Sequence, residues 1–281
     1  MFLDISICLG EAILNKLKES DPNKVIEINS NNGSTLTVEK ARIQTITIAR
    51  NLMGIDVNRE DVVVIYSKAN EKITPITFAC LTIGAPIYFI KTNLENSIIC
   101  ERIQLLNPKI ILYESEYAVK LFKALRGVWP KNLKHLICID SVILHHRLDE
   151  EENFQLPDIG DANDNSAVLM ITTKSNGSTI VKKRSHAKLA REFYTFRQIT
   201  SESRLFFPNQ HQFINQTLVL LMVPVFFGTQ RIYSLDIEVE NGSEKILEII
   251  DTFKISHYFN ALTSFVETLK TVEQTKNRQQ V

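Results

Sequence analysis

Residues 167–186 read AVLMITTKSNGSTIVKKRSH. An apolar run over 167–171 passes directly into Thr172, Thr173, Lys174, Ser175, Asn176, Gly177, Ser178 and Thr179. Such an order suits a buried strand feeding a phosphate-binding loop, because small and hydroxylated residues let backbone N–H groups close around anionic oxygens. Ser185-His186 then precedes AKLAREFYTFRQI, whose apolar spacing is helical. The stretch predicts a strand, a loop over 172–179 and a helix, the arrangement of a nucleotide site. An ordinary polar surface loop is the competing reading.

Laid on without gaps, the same residues resemble the signature loop of the adenylate-forming superfamily, which includes acyl-CoA synthetases, 4-coumarate–CoA ligases and beetle luciferases. Members read as an apolar strand, T/S-S-G-T/S-T-G-L-P-K-G-V and, a few residues on, Thr, Ser or Pro before His. Thr172 and Thr173 match the first hydroxyls, Ser175 and Gly177 the core, and His186 the closing histidine. The departures are Lys174 at the first glycine, Ile180 at the phosphate lysine and Val181 at the last glycine. A shifted frame sets Gly177-Ser178-Thr179 on Gly-Ser-Thr and Lys183 on the lysine, at the expense of an insertion and a deletion; the ungapped frame is preferred.

By resemblance, the nucleotide-binding candidates are Thr172, Thr173, Lys174, Ser175, Asn176, Gly177, Ser178, Thr179 and Lys183. Glycine in such a loop permits positive φ and close backbone approach, so a side chain there obstructs both. A loop lysine neutralises charge as pyrophosphate departs, which isoleucine cannot do. Lys174, Lys182, Lys183 and Arg184 are the cations able to return a charge from another direction.

Composition narrows the rest. Lysine plus arginine and aspartate plus glutamate number 32 each in 281 residues, so no global field favours nucleic acid or an acidic membrane. Cys8, Cys80, Cys100 and Cys138 lie in apolar surroundings without C-x-x-C spacing, which predicts reduced, buried thiols. No apolar run reaches the roughly 20 residues of a membrane span, and the N-terminal MFLDISICLGEAI lacks a basic leader region. A cytoplasmic location is expected. Peroxisomal residence is implied by family resemblance alone, and RQQV is not a Ser-Lys-Leu address. His145-His146 beside Asp149, Glu150, Glu151 and Glu152 lacks ligand spacing, so no metal site is expected.

In chain order, the pattern predicts a helix at 9–17, a strand at 24–28 and a hairpin turn at Asn31-Asn32-Gly33. Thr37 then caps a helix that Gly54 stops. Strands at 61–66, 87–90, 109–113 and 136–140 alternate with helices at 71–83, 94–106 and 116–125, which implies parallel strands with right-handed crossovers. The apolar TLVLLMV at 217–223 reads as a further buried strand, followed by a helix at 243–253, a strand at 255–259 and a helix at 262–272.

The expected fold is α/β, with two lobes of largely parallel sheet flanked by helices. Residues 1–144 form the first lobe, 145–160 a linker and 161–281 a second, incomplete lobe carrying the loop. The resemblance continues in Leu36-Thr37-Val38-Glu39, in Asn70 and Gly84-Ala85, and in Pro224-Val225-Phe226-Phe227-Gly228, where Phe226 and Phe227 stand at histidine positions. It covers the family's N-terminal half. The motifs for adenine, magnesium and ribose, the hinge and the catalytic lysine are not among these residues, which implies a truncated N-terminal domain.

Three functions follow from the resemblance. The chain is an AMP-binding, acyl-CoA-ligase-like protein inactive on its own; or an ATP-dependent acid–CoA ligase completed by a missing segment or partner; or a non-catalytic module binding a nucleotide, an acyl chain or a related ligase. ATP or AMP with magnesium, and CoA, are the cofactors the resemblance implies, and no catalytic residue is assigned. A nucleotide or carboxylic acid is the expected ligand. Self-association is expected through apolar residues around 218–223 and 255–259.

Overall fold

The structure, a computed structural model, describes residues 8–68, 70–140, 154–175, 178–207, 214–234 and 242–259. In order, the elements are α1 (Leu9–Glu19), β1 (Val25–Asn29), β2 (Thr35–Thr37), α2 (Val38–Gly54), β3 (Val63–Tyr66), α3 (Ile73–Thr82), β4 (Ile87–Phe89), α4 (Asn96–Leu106), β5 (Ile110–Tyr113), α5 (Ala118–Leu125) and β6 (His135–Cys138). They continue with β7 (Ser166–Thr173), β8 (Thr179–Ser185), α6 (His186–Glu192), β9 (Arg204–Phe207), α7 (Ile214–Phe227), β10 (Gln230–Tyr233), α8 (Gly242–Thr252) and β11 (His257–Tyr258).

Two mostly parallel sheets result. One has six strands in the order β6-β5-β3-β4-β7-β8, and the other five in the order β11-β9-β10-β1-β2. Among the described strands, only β8 and β2 run antiparallel to their neighbours. The expected α/β fold with two sheets is thus present. The sheets, however, do not divide at 145–160: β1 and β2 join the C-terminal strands, while β7 and β8 extend the N-terminal sheet. Chain order cannot reveal this, because parallel pairing is made across crossovers of any length.

Alternation along the strands sorts the core. Val63 and Ile65 enter the large cluster shared with α1, α2, α3, α6 and α7, whereas Val64 and Tyr66 face the cluster under α4 and α5. Leu205 and Phe207 likewise join the large cluster, and Phe206 turns outward to Ile246 and Ile249 of α8. The large core therefore lies between the two sheets, with further helices on the outer faces. α1 crosses α3 at Gly10, where an added Cβ would stand 2.2 Å from the Thr82 Cα. No other residue permits that approach.

The hairpin of β1 and β2 turns at Gly33, with φ of 72° and its N–H on the Asn29 carbonyl. Thr37 caps α2 through Oγ1, which accepts from the Lys40 N–H at 3.2 Å. The helix ends at Gly54 as expected, and the chain reverses two residues later at Asp56, with φ of 63°. Asp56 holds this turn together with Asp61 by closing on the buried Lys109, at 3.2 and 2.9 Å.

The largest correction is at 217–223, which lies within helix α7 rather than a strand. Six consecutive residues from Leu218 to Val223 are buried. A helix apolar all round and a strand covered on both faces give the same unbroken apolar run. With these residues inside the core, they offer no edge for self-association. β11 is the terminal strand of its sheet and half-buried. The segment 145–153 of the expected linker, its histidines and acids, and the helix expected at 262–272 lie outside the described residues.

Candidate functional site

The stretch 167–186 folds as a β-hairpin rather than as strand, loop and helix. Thr172 and Thr173 end β7 and Thr179 begins β8, with Lys174, Ser175 and Ser178 the described residues between them. The cause is a continuous antiparallel register in which Ile171 meets Val181, Thr172 meets Ile180 and Thr173 meets Thr179. Ile180 and Val181 are β-branched and sustain the strand where a glycine would interrupt it.

Period-two alternation then decides which side chains share a face. Ile171 and Val181 pack against the cluster under α4 and α5, so Leu169 with Lys183 and Thr173 with Thr179 belong to that face. Val168 with Arg184, Met170 with Lys182, and Thr172 with Ile180 belong to the other. Lys183 therefore stands on the opposite face from Ile180, three residues away, while Lys182 shares Ile180's face. Arg184 is committed to Glu192 of α6.

Donors expected to surround a phosphate are turned to the protein. The Lys174 N–H donates to the Ser178 carbonyl at 2.8 Å, closing the turn. The Thr179 hydroxyl donates to Glu101 Oε1 of α4 at 3.1 Å. Lys174, Ser175 and Ser178 are exposed, as is Lys183, and Asn176 and Gly177 lie outside the described residues.

Beyond the hairpin, the Ser185 hydroxyl accepts from the Lys188 N–H and caps α6. His186, the first residue of α6, is completely buried beneath α1. Its Nδ1 accepts from the Leu9 N–H at 3.3 Å, which leaves the proton on Nε2, a buried atom with no protein partner among the described residues. Burial drives the imidazole pKa down to about 4, so it is neutral at physiological pH. The half-buried Cys8 thiol lies 3.8 Å from Nδ1 and is itself pushed up by burial. This histidine joins α1 to α6 and reaches no solvent. All four cysteines are free thiols, as expected, though only Cys80 is fully buried.

The end of α7 supplies the second candidate wall. Phe193 meets Phe226 edge-on at 5.1 Å and stacks on Phe227 at 6.4 Å, and Gly228, with φ of 66°, ends the helix. Hydrocarbon rings thus fill both positions where an imidazole was the family expectation.

A polar cluster missed in the sequence sits at the carboxyl ends of β3 and β5, where the chain reverses its winding direction and open sheets accept ligands. Glu114 occupies it: its carboxylate accepts from the Lys68 N–H at 2.7 Å and from Asn70 Nδ2 at 2.5 Å. Asn70 Oδ1 in turn accepts from the Lys72 N–H at the start of α3. Glu114 carries no motif signal, and its role depends on strands 44 residues apart becoming neighbours.

Residues 16–280 match the family model described as AMP-binding enzyme. The chain belongs to the AMP-binding enzyme family. Its fold is shared by the luciferase-like enzyme of the nonluminescent mealworm Zophobas morio, at a TM-score of 0.79 and 19% identity over 95% of this chain and 63% of that one. The N-terminal domain of FACL13 from Mycobacterium tuberculosis aligns at 0.76 and 14% over 92% and 64%. A fatty acyl CoA synthetase of the same organism aligns at 0.73 and 14% over 89% and 48%. This AMP-binding chain thus spans about half to two-thirds of the solved chains it resembles. No curated protein sequence matches it significantly. Among the described residues, no helix of this family member is long and apolar enough to cross a membrane, and no group of three or more His, Cys, Asp or Glu could hold a metal ion.

Proposed function

We propose that this AMP-binding family member is an acyl-CoA-ligase-like protein that does not adenylate carboxylic acids by itself. The observation carrying the reading is the Thr172–Ile180 pair: the position of the phosphate lysine holds a half-buried isoleucine within a regular strand ladder. Adenylation proceeds largely by positioning and charge stabilisation, and a hydrocarbon there supplies neither. Lys174 and Val181 at the glycine positions support the same reading, as does Phe227 packed on Phe193. Its residual ligand is a nucleotide, held weakly by the exposed loop.

The test is ATP–pyrophosphate exchange with short, long and aromatic acids, using the unmodified chain and the Lys174→Gly/Ile180→Lys variant. The expected result is no acid-dependent exchange from the former and a measurable gain in the latter. Robust exchange by the unmodified chain overturns the proposal.

A further inference from the structure

The outer surface at α5 carries a feature that the overall charge balance conceals. Residues 118–134 read AVKLFKALRGVWPKNLK, which contains Lys120, Lys123, Arg126, Lys131 and Lys134 and no acid. On α5, Leu121, Ala124 and Leu125 are buried toward the sheet. The opposite stripe, at helical spacing, is Val119, Lys123 and Arg126, flanked by Phe122, whose ring also meets Tyr113 of β5 edge-on at 5.7 Å. Val119 is 66% exposed, Phe122 47% and Trp129, just past the helix, 60%. The connection to β6 leaves Lys131 and Lys134 exposed as well.

We propose that this face, α5 and the 126–134 connection, is a docking surface for an anionic phospholipid bilayer, on which the protein lies without spanning it. Exposed aromatic and aliphatic side chains interleaved with basic ones are what an interfacial helix needs: the rings enter the acyl boundary while the cations meet lipid phosphates. The Trp129 indole already has its polar end satisfied, with Nε1 donating to the Leu133 carbonyl at 3.2 Å, so ring insertion strands no donor. Asp56 and Asp61 close on Lys109, and Glu116 pairs with Lys68 at 3.5 Å. An acidic protein or nucleic acid would use the cations and leave Val119 and Phe122 in water, so the bilayer is favoured.

The experiment is co-sedimentation of the full chain with vesicles of phosphatidylcholine alone or with 30% phosphatidylserine (about a third anionic lipid). Binding is expected only to the anionic vesicles and falls with added salt. Each basic residue near such a surface contributes about fivefold to partitioning, so Lys123→Glu/Arg126→Glu should reduce binding more than tenfold. Phe122→Ser/Trp129→Ser should reduce it at unchanged charge, with circular dichroism checking that each variant is folded. Absence of binding to anionic vesicles by the unmodified chain overturns the proposal. So does binding indifferent to the Phe122/Trp129 variant, or a preference for duplex DNA or an acidic peptide over vesicles.

Discussion

Arg231 of β10 lies 3.0 Å from Glu27 of the neighbouring strand β1, and both side chains are 1% exposed. Thr74 of α3 donates to Glu27 Oε1 at 2.6 Å, so the pair also ties the five-stranded sheet to a helix of the other one. Burial pushes the Glu27 carboxyl up, and Arg231 and Thr74 pull it back. The guanidinium lies over the Tyr233 ring at 5.1 Å, and its Nε has no hydrogen-bond partner among the described residues. Removing one member leaves a desolvated charge, so Arg231→Met is expected to cost about 3–5 kcal/mol, while Glu27→Leu/Arg231→Met costs less than either single change. Urea unfolding of the three variants checks this; a double variant weaker than both singles counts against a pair that carries its own desolvation penalty.

His186 gives the chain an acid-side weakness. Its folded pKa, about 4, is below the unfolded value of about 6.5, so the unfolded state binds the proton first as pH falls. The contribution is fully present above about pH 6.5 and declines between there and pH 4, by about 3 kcal/mol in all. His186→Gln removes the titration, and its stability profile should be flatter than the parent's across that window. Equal slopes in denaturant titrations at pH 7, 6 and 5 would show the imidazole to be solvated.

Two glycines should respond with opposite sign. Gly10→Ala drives a methyl into the Thr82 backbone at the α1–α3 crossing and is expected to destabilise by about 3 kcal/mol or more. Gly54→Ala meets nothing within 4 Å at the end of α2 and should stabilise by about 0.5 kcal/mol through the unfolded chain. Thermal melts of the two variants, compared with the parent, decide it.

The hairpin register separates two lysines that the sequence leaves equivalent. Lys182 shares a face with Ile180 and Thr172, and Lys183 projects from the other with Leu169. Ile180→Lys is expected to raise ATP affinity about tenfold, a charge-assisted bond's worth. Lys182→Ala should weaken that gain and Lys183→Ala leave it unchanged. Calorimetric titration with ATP reads all three; a loss confined to Lys183→Ala would favour the shifted frame.

Much of the architecture was legible because local rules and packing agreed. Thr37 as a cap, Gly33 as a turn and the β-branched run into Tyr66 each follow from one residue's stereochemistry or from burial on both faces. Errors arose where one pattern serves two structures. The apolar run at 218–223 is helical because it is enclosed on every side, and residues 172, 173 and 179 are strand because β7 found β8 as a partner.

The sequence by itself determined the family, the α/β class and the substitutions at 174, 180, 181 and 227, since these are matters of residue identity at a position in the chain. Tertiary structure alone decided that Lys183 and Ile180 face apart, that His186 is sealed under α1, and that Glu114 closes the carboxyl end of β3. Those outcomes depend on which strands become neighbours and on what lies above a side chain. Glu27 and Arg231, 204 positions apart in sequence, acquire their meaning only when β1 and β10 pair and water is excluded between the sheets.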